Sequence, residues 1–139
     1  LLTPLALCIW WLDDGTIINK RQGVICTDGF ELEKIKILVR TLKINWKVES
    51  TIHVINKTYK GKNNKYYRIG LNIENLEKFL KIILPYIPVE EMLYKGIIRY
   101  KNKELQQRWI SETIKIIKPE LRDKFLQLTE ELKKDQRMI

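Results

Sequence analysis

The segment Leu5-Ala6-Leu7-Cys8-Ile9-Trp10-Trp11-Leu12 constrains this chain more than any other. Thr3 and Pro4 before it form a helix start, with Thr3 as N-cap and Pro4 at the first helical position. The resulting helix, Pro4–Asp13, is apolar on every side, whereas a surface helix carries a polar stripe. It must be covered all round, yet no apolar run in the chain reaches the ~18 residues of a membrane span. Its own sheet can cover one side. Something else, such as a second copy or a related repeat, must cover the other. Asp13 and Asp14 then fall at the negative end of the helix dipole, unfavourable by ~0.3–1 kcal/mol per charge. A cation would offset this, and hard carboxylate oxygens suit Mg²⁺. Gly15 is expected to close the helix at C′. Read alone, Asp13-Asp14-Gly15 is more often an ordinary exposed turn.

The chain has 139 residues, enough for one domain or one domain plus a helical appendage. Its net charge of +9 favours a polyanionic partner, and nucleic acid is the usual one. Cys8 and Cys26 sit among apolar residues and are expected as buried thiols in a reducing compartment. His53 has no partner for a zinc site, and the glycines form no phosphate-binding loop pattern. Ile and Lys dominate while Ala occurs once, which fits an AT-rich genome such as an organellar one. The sequence begins at Leu1 without a methionine or a signal-peptide pattern, as expected of a processed or incomplete chain.

Periodicity supplies the other elements. Thr16–Asn19 and Val24–Thr27 read as a hairpin across Lys20-Arg21-Gln22-Gly23, and Asp28-Gly29 as a turn. Glu31–Leu42 is an amphipathic helix with Leu32, Ile35, Leu38, Val39 and Leu42 inward. Trp46–Ile55 alternates, with Trp46, Val48, Ile52 and Val54 on one face and Lys47, Glu49, Thr51 and His53 on the other. Tyr66–Leu71 alternates too, with Tyr67, Ile69 and Leu71 inward and Tyr66 and Arg68 outward. Ile73–Leu84 is a second amphipathic helix, Pro85 and Pro88 bracket a break, and Val89–Lys95 is a short helix. Lys103–Ile117 and Pro119–Lys134 form a helical pair, the latter with the stripe Leu121, Phe125, Leu128 and Leu132. The order is α-β-β-α-β-β-α with helices appended, an α+β fold.

The stretch Ile52–Ile73 contains no acid and carries Lys57, Lys60, Lys62, Lys65 and Arg68, with Tyr59, Tyr66 and Tyr67 interleaved. A long basic hairpin loop of this kind suits phosphate tracking, and outward strand residues can reach base edges. It is otherwise a solvated polar hairpin. Lys20, Arg21 and Gln22 form a smaller counterpart in the first hairpin, and outward Lys47, His53 and Arg68 extend the surface.

Three ordered motifs add a resemblance. Leu1-Leu2-Thr3-Pro4-Leu5-Ala6-Leu7 followed by Trp10-Trp11-Leu12-Asp13-Asp14-Gly15 resembles the helix that names the LAGLIDADG homing endonucleases. The likeness is to the second repeat of the two-repeat, mitochondrial intron-encoded branch. Val24-Ile25-Cys26-Thr27-Asp28-Gly29-Phe30 resembles the family's second strand and turn. Pro85-Tyr86-Ile87-Pro88 leading to Met92-Leu93-Tyr94-Lys95 resembles the end of its repeat. The resemblance covers roughly residues 1–98, leaving 99–139 as a C-terminal helical extension. Bulky Trp10 and Trp11 depart from the small residues of the founding consensus.

The resemblance implies a curved antiparallel sheet with helices on one face, and two repeats packed through their apolar helices. It implies Asp14 as the metal-binding catalytic acid, Lys95 as a lysine beside the active site, and Leu7, Trp10 and Trp11 at the repeat interface. One motif per chain implies a homodimer or association with a separate first repeat. The implied chemistry is Mg²⁺-assisted hydrolysis of DNA phosphodiesters by a site-specific enzyme encoded in a mitochondrial or chloroplast genome. Lys95 is otherwise an ordinary surface lysine. The same sheet could instead serve RNA, as an intron maturase or a component of an organellar ribosome. Asp14 and Lys95 favour the enzyme, whereas the missing first repeat and the helical tail favour the RNA-binding derivative.

Overall fold

The computed structural model describes residues 2–137, with side chains as far as Lys134, so Leu1 of the first motif lies outside the described residues. The chain divides into two compact units. Asp13–Phe79 forms one, and the chain before and after it forms the other.

The unit Asp13–Phe79 is built on a four-stranded antiparallel sheet of order β1-β2-β4-β3. Its strands are β1 (Gly15–Ile18), β2 (Gln22–Ile25), β3 (Thr51–Tyr59) and β4 (Lys62–Leu71). Both hairpins close through left-handed residues, at Asn19 (φ 50°) and Lys20 (φ 69°), and at Lys60 (φ 50°) and Gly61 (φ 76°). Such mirror-image turns match the right-handed twist of paired strands. The second hairpin is therefore not the long loop its polar sequence suggested. Nine β3 residues from Thr51 to Tyr59 pair in unbroken register with Gly70 to Lys62 of β4.

Helix α2 (Leu32–Trp46) packs on β3 and β4, burying Ile35 and Leu42. It runs a turn beyond the expected end at Leu42. Lys47 takes the left-handed conformation (φ 56°) and the Val48 N–H returns to the Leu42 carbonyl at 3.1 Å. Glycine usually fills that position, and a lysine there costs ~1 kcal/mol. With no glycine to mark the stop, the apparent alternation from Trp46 was misleading: Trp46 and Lys47 end a helix and lie outside the strand. Helix α3 (Ile73–Ile83) starts on an Asn72 cap, whose Oδ1 accepts the Asn75 N–H at 2.9 Å. Asn75 in turn accepts the Glu49 N–H at 2.8 Å, pinning the α2–β3 connection to the first turn of α3.

The other unit holds most of α1 (Pro4–Asp14), the end of α3 and the C-terminal helices. Thr3 caps α1 as expected, its Oγ1 accepting the Ala6 N–H at 3.1 Å. Leu7, Cys8, Trp11 and Leu12 are buried. The short helix expected at Val89–Lys95 is 3₁₀ over Glu90–Gly96. Helix α4 (Lys103–Ile116), capped by Asn102, buries Trp109, whose indole donates to the Gly96 carbonyl at 3.1 Å. Gly96 has no room for a side chain, since a Cβ would stand 2.6 Å from Leu84 Cδ2. Helix α5 (Arg122–Arg137) buries Phe125 and Thr129 and meets the 3₁₀ segment Glu90–Gly96. The expected boundary at residue 98 thus falls inside a compact unit, because Trp109 and Phe125 complete the core begun before it. No described helix is long and apolar enough to cross a membrane.

Candidate nucleic-acid interface and helix-end carboxylates

Register divides the sheet into two faces, since directly paired residues point the same way. Ile25 pairs with Ile69, Ile69 with Ile52, and Gly23 with Leu71. Ile25, Ile69 and Leu71 are buried, so this is the covered face. The opposite, open face carries Thr16, Ile18, Gln22 and Val24 from the first hairpin. It also carries Thr51, His53, Ile55, Lys57 and Tyr59 from β3, and Lys62, Asn64, Tyr66, Arg68 and Gly70 from β4. Gly70 is needed there, because the His53 ring lies across it and a Cβ would meet Nε2 at 2.4 Å. His53 is held by Thr51, Oγ1 to Nε2, at 2.9 Å.

The expected nucleic-acid-binding residues fall in several places. Gln22, Lys57, Lys62, Tyr66 and Arg68 share the open face. Lys20, Arg21 and Lys60 occupy the two hairpin turns. Lys65 pairs with Asn56 on the opposite face, one step out of phase with Tyr66 and Arg68, although the outer half of the hairpin is exposed on both faces. Lys47 sits on the α2 end and not on the sheet. Cys26, expected buried, is exposed. It continues the outward alternation past the end of β2.

Two ammonium groups lie against tyrosine rings, Lys57 over Tyr66 at 5.1 Å and Lys60 over Tyr59 at 5.4 Å. The centre of the open face holds a residue that the sequence offered only as a turn. Asp28 accepts from Arg68 Nε at 2.8 Å and Nη2 at 2.8 Å, and from Lys57 Nζ at 3.2 Å. The Arg68 hydrogen bonds, aided by Lys57, hold the Asp28 carboxyl down to about 2. The turn is anchored by buried Thr27, whose hydroxyl donates to the Tyr67 carbonyl. Asp28 and Arg68 are 40 residues apart, so only the strand register could have revealed the pair.

Asp13 and Asp14 end α1, and both are exposed. Gly15 does not take the left-handed form of a helix stop. It opens β1, and the Cys26 N–H donates to the Asp14 carbonyl at 3.0 Å, so the ladder begins at the last helical residue. Asp14 therefore stands in register opposite Cys26, at one end of the sheet. Its carboxylate makes no hydrogen bond or ion pair with a described residue. No cluster of three or more His, Cys, Asp or Glu exists among the described residues, so these residues by themselves enclose no metal cage. A lone exposed carboxylate suits a cation that keeps several waters and takes further oxygens from phosphate, as Mg²⁺ does.

Lys95 is tied to α1 through both its backbone and its side chain. Its carbonyl accepts the Trp11 indole N–H at 3.0 Å, and its ammonium donates to the Leu12 carbonyl. Leu12 lies in the last turn of α1, where carbonyls lack intrahelical partners and a cation is favoured by ~0.3–1 kcal/mol. Of the three residues expected at a repeat interface, Leu7 and Trp11 are fully buried within this chain, and Trp10 is partly exposed. The side of α1 left bare is instead Leu5 and Ile9, about half exposed at 50% and 53%, flanked by Leu2, Ala6 and Trp10.

Comparison with known proteins identifies the family. Residues 1–79 match the LAGLIDADG DNA endonuclease family. The chain is 36% identical over 94 residues to the cytochrome b mRNA maturase bI2 of Debaryomyces hansenii, covering 68% of this chain and 33% of that protein. It is 34% identical over 94 residues to the maturase of the same name from Saccharomyces cerevisiae, covering 68% and 21%. It therefore spans about a third and a fifth of these relatives. Among solved structures, the homing endonuclease I-WcaI bound to its DNA recognition sequence aligns with a TM-score of 0.57 and 28% identity, over 71% of this chain and 42% of that one. Helix, strand order and matched segment agree, and the chain belongs to the LAGLIDADG DNA endonuclease family.

Proposed function

We propose that this chain supplies one half of a site-specific, Mg²⁺-dependent double-strand DNA endonuclease encoded in an organellar genome. The observation that carries the reading is Asp14. It is an exposed carboxylate without a cation partner among the described residues, at the end of a helix with one bare apolar side. A second LAGLIDADG helix, from another copy or from a separate first repeat, would cover Leu5 and Ile9 and bring a second carboxylate. Duplex DNA would lie along the open face of the sheet.

In this reading Asp14 would hold Mg²⁺. The ion would supply Lewis acidity and neutralise charge on the phosphate oxygens. Lys95, its ammonium already drawn to the α1 carbonyl end, would stabilise negative charge as the phosphodiester is cleaved. Lys60, Lys62, Lys20 and Arg21, at or near the hairpin turns, would follow the phosphate backbone.

A second reading is favoured by the names of the relatives, which are mRNA maturases. In it the same fold binds intron RNA and Asp14 is dispensable. The two readings separate in one experiment. Total DNA from the source organism is incubated with the full chain, alone and with a first LAGLIDADG repeat, in Mg²⁺, and the broken ends are sequenced. The endonuclease gives breaks at one discrete sequence, abolished by Asp14→Asn and by EDTA. Breaks that survive Asp14→Asn, or none under any condition together with tight intron RNA binding, contradict it.

A further inference from the structure

Resting on the DNA-binding reading above, we infer that Asp28 makes Arg68 the base-reading residue at the centre of the open face, oriented toward guanine in duplex DNA and masked from phosphate. Arg68 projects from β4 on the open face, with its side chain 24% exposed. A guanidinium has five N–H donors in a rigid fork. Two of them, on Nε and Nη2, are fixed on the two Asp28 oxygens at 2.8 Å each. That bidentate pair sets the plane of the fork. It leaves the end-on edge, Nη1 with the second hydrogen of Nη2, without a hydrogen-bond partner among the described residues. The end-on edge matches the O6 and N7 acceptors that guanine shows in the major groove.

Asp28 also decides what Arg68 is not for. An ionised carboxylate in direct contact cancels most of the attraction of Arg68 for a phosphate. It does the same in part for Lys57, whose ammonium shares Asp28 Oδ2 at 3.2 Å. The surroundings reinforce this assignment. Cross-strand from Arg68 stands His53, close over Gly70, hydrogen-bonded to Thr51 and adding no second acid. The cations nearer the hairpin tip, Lys60 and Lys62, have no carboxylate partner among the described residues. The open face thus divides into a charge-compensated centre, suited to reading bases, and an uncompensated tip, suited to phosphate. The carboxylate is a positioning residue, acting on DNA only through the arginine.

The test is a selection of randomised DNA duplexes by the full chain, followed by binding of the selected duplex over a salt series. The wild type should enrich guanine at one position in the sequence it selects. Asp28→Asn should flatten the preference at that position alone, by roughly five- to a hundredfold. It should also bind unselected duplex as tightly as the wild type or tighter, with a steeper salt dependence, because Arg68 and Lys57 gain phosphate contacts. Arg68→Lys, which keeps the charge and loses the fork, should lose the same preference. Both variants should show wild-type circular dichroism, and a merely structural aspartate would instead lower affinity for every duplex alike. Unchanged selection by Asp28→Asn, or a uniform loss of affinity, overturns the inference while leaving the endonuclease reading standing. A wild type that enriches no duplex sequence, either alone or together with a first LAGLIDADG repeat, removes both.

Discussion

Helix α1 and the β3–β4 hairpin both present surface that this chain does not itself use, and they do so in opposite chemistry. On α1 the surplus is apolar: Leu5 and Ile9 are exposed while Leu7 and Trp11, on the opposite side of the helix, are fully buried. On the hairpin the surplus is cationic, with Lys62 facing the open side and Lys60 in the turn. The difference predicts two kinds of partner that one reagent can separate. Salt weakens contacts made by exposed lysines and leaves apolar burial nearly untouched. Association through α1 should therefore survive a salt concentration that strips nucleic acid from the hairpin.

The largest expected effect lies on the buried side of α1. Trp11→Ala should destabilise the chain by ~3–5 kcal/mol, through lost packing and the lost bond to the Lys95 carbonyl, read from urea unfolding. Ile9→Ala, on the bare side of the same helix, should change the stability of the isolated chain by less than ~1 kcal/mol. Similar losses at the two positions would erase the distinction between the sides. Next comes the hairpin. Lys60→Glu with Lys62→Glu should weaken nucleic-acid binding at least tenfold near physiological salt, and lower the salt slope by about two units if each lysine neutralises one phosphate. Stability should be unchanged, because both residues are exposed.

A smaller effect tests the compensated centre of the open face. The Asp28 carboxyl is held at about 2 against 3.8, chiefly by its hydrogen bonds from Arg68. A folded value below the unfolded one means that the stabilisation is fully present above pH ~4 and is lost as pH falls toward 2. Solvent screening of a partly exposed pair limits the loss to about 1 kcal/mol. In urea titrations between pH 5 and 2 the wild type should lose this increment and Asp28→Asn should not. Equal pH dependence of the two would show that the pair contributes nothing to folding.

Much of this architecture was legible because its signals were local. Thr3-Pro4 and an unbroken apolar run announce α1, and alternation from Tyr66 to Leu71 announces the inner half of β4. What was missed depends on partners far along the chain. Asp28 reads as a turn residue until the register of β4 brings Arg68 to it. Cys26 and Lys65 were assigned from neighbours in sequence, whereas strand parity turns the cysteine outward and the lysine to the side opposite Arg68. Helix α2 outran its expected end because a lysine fills the left-handed stop usually given to glycine. The resemblance put Leu7 and Trp11 at a partner interface, whereas both are buried within their own chain, and an all-apolar helix gives no clue to which side that chain covers.

Native mass spectrometry bears most directly on the claim that α1 is completed by another helix of its kind. The full chain, of 16.7 kDa, is measured alone and mixed with a first LAGLIDADG repeat, at low and at high salt, beside Ile9→Lys. The wild type should appear as a dimer or a one-to-one complex at both salt concentrations, and Ile9→Lys as a monomer throughout. A wild type that stays at 16.7 kDa in every mixture, or an Ile9→Lys chain that assembles equally well, would contradict it.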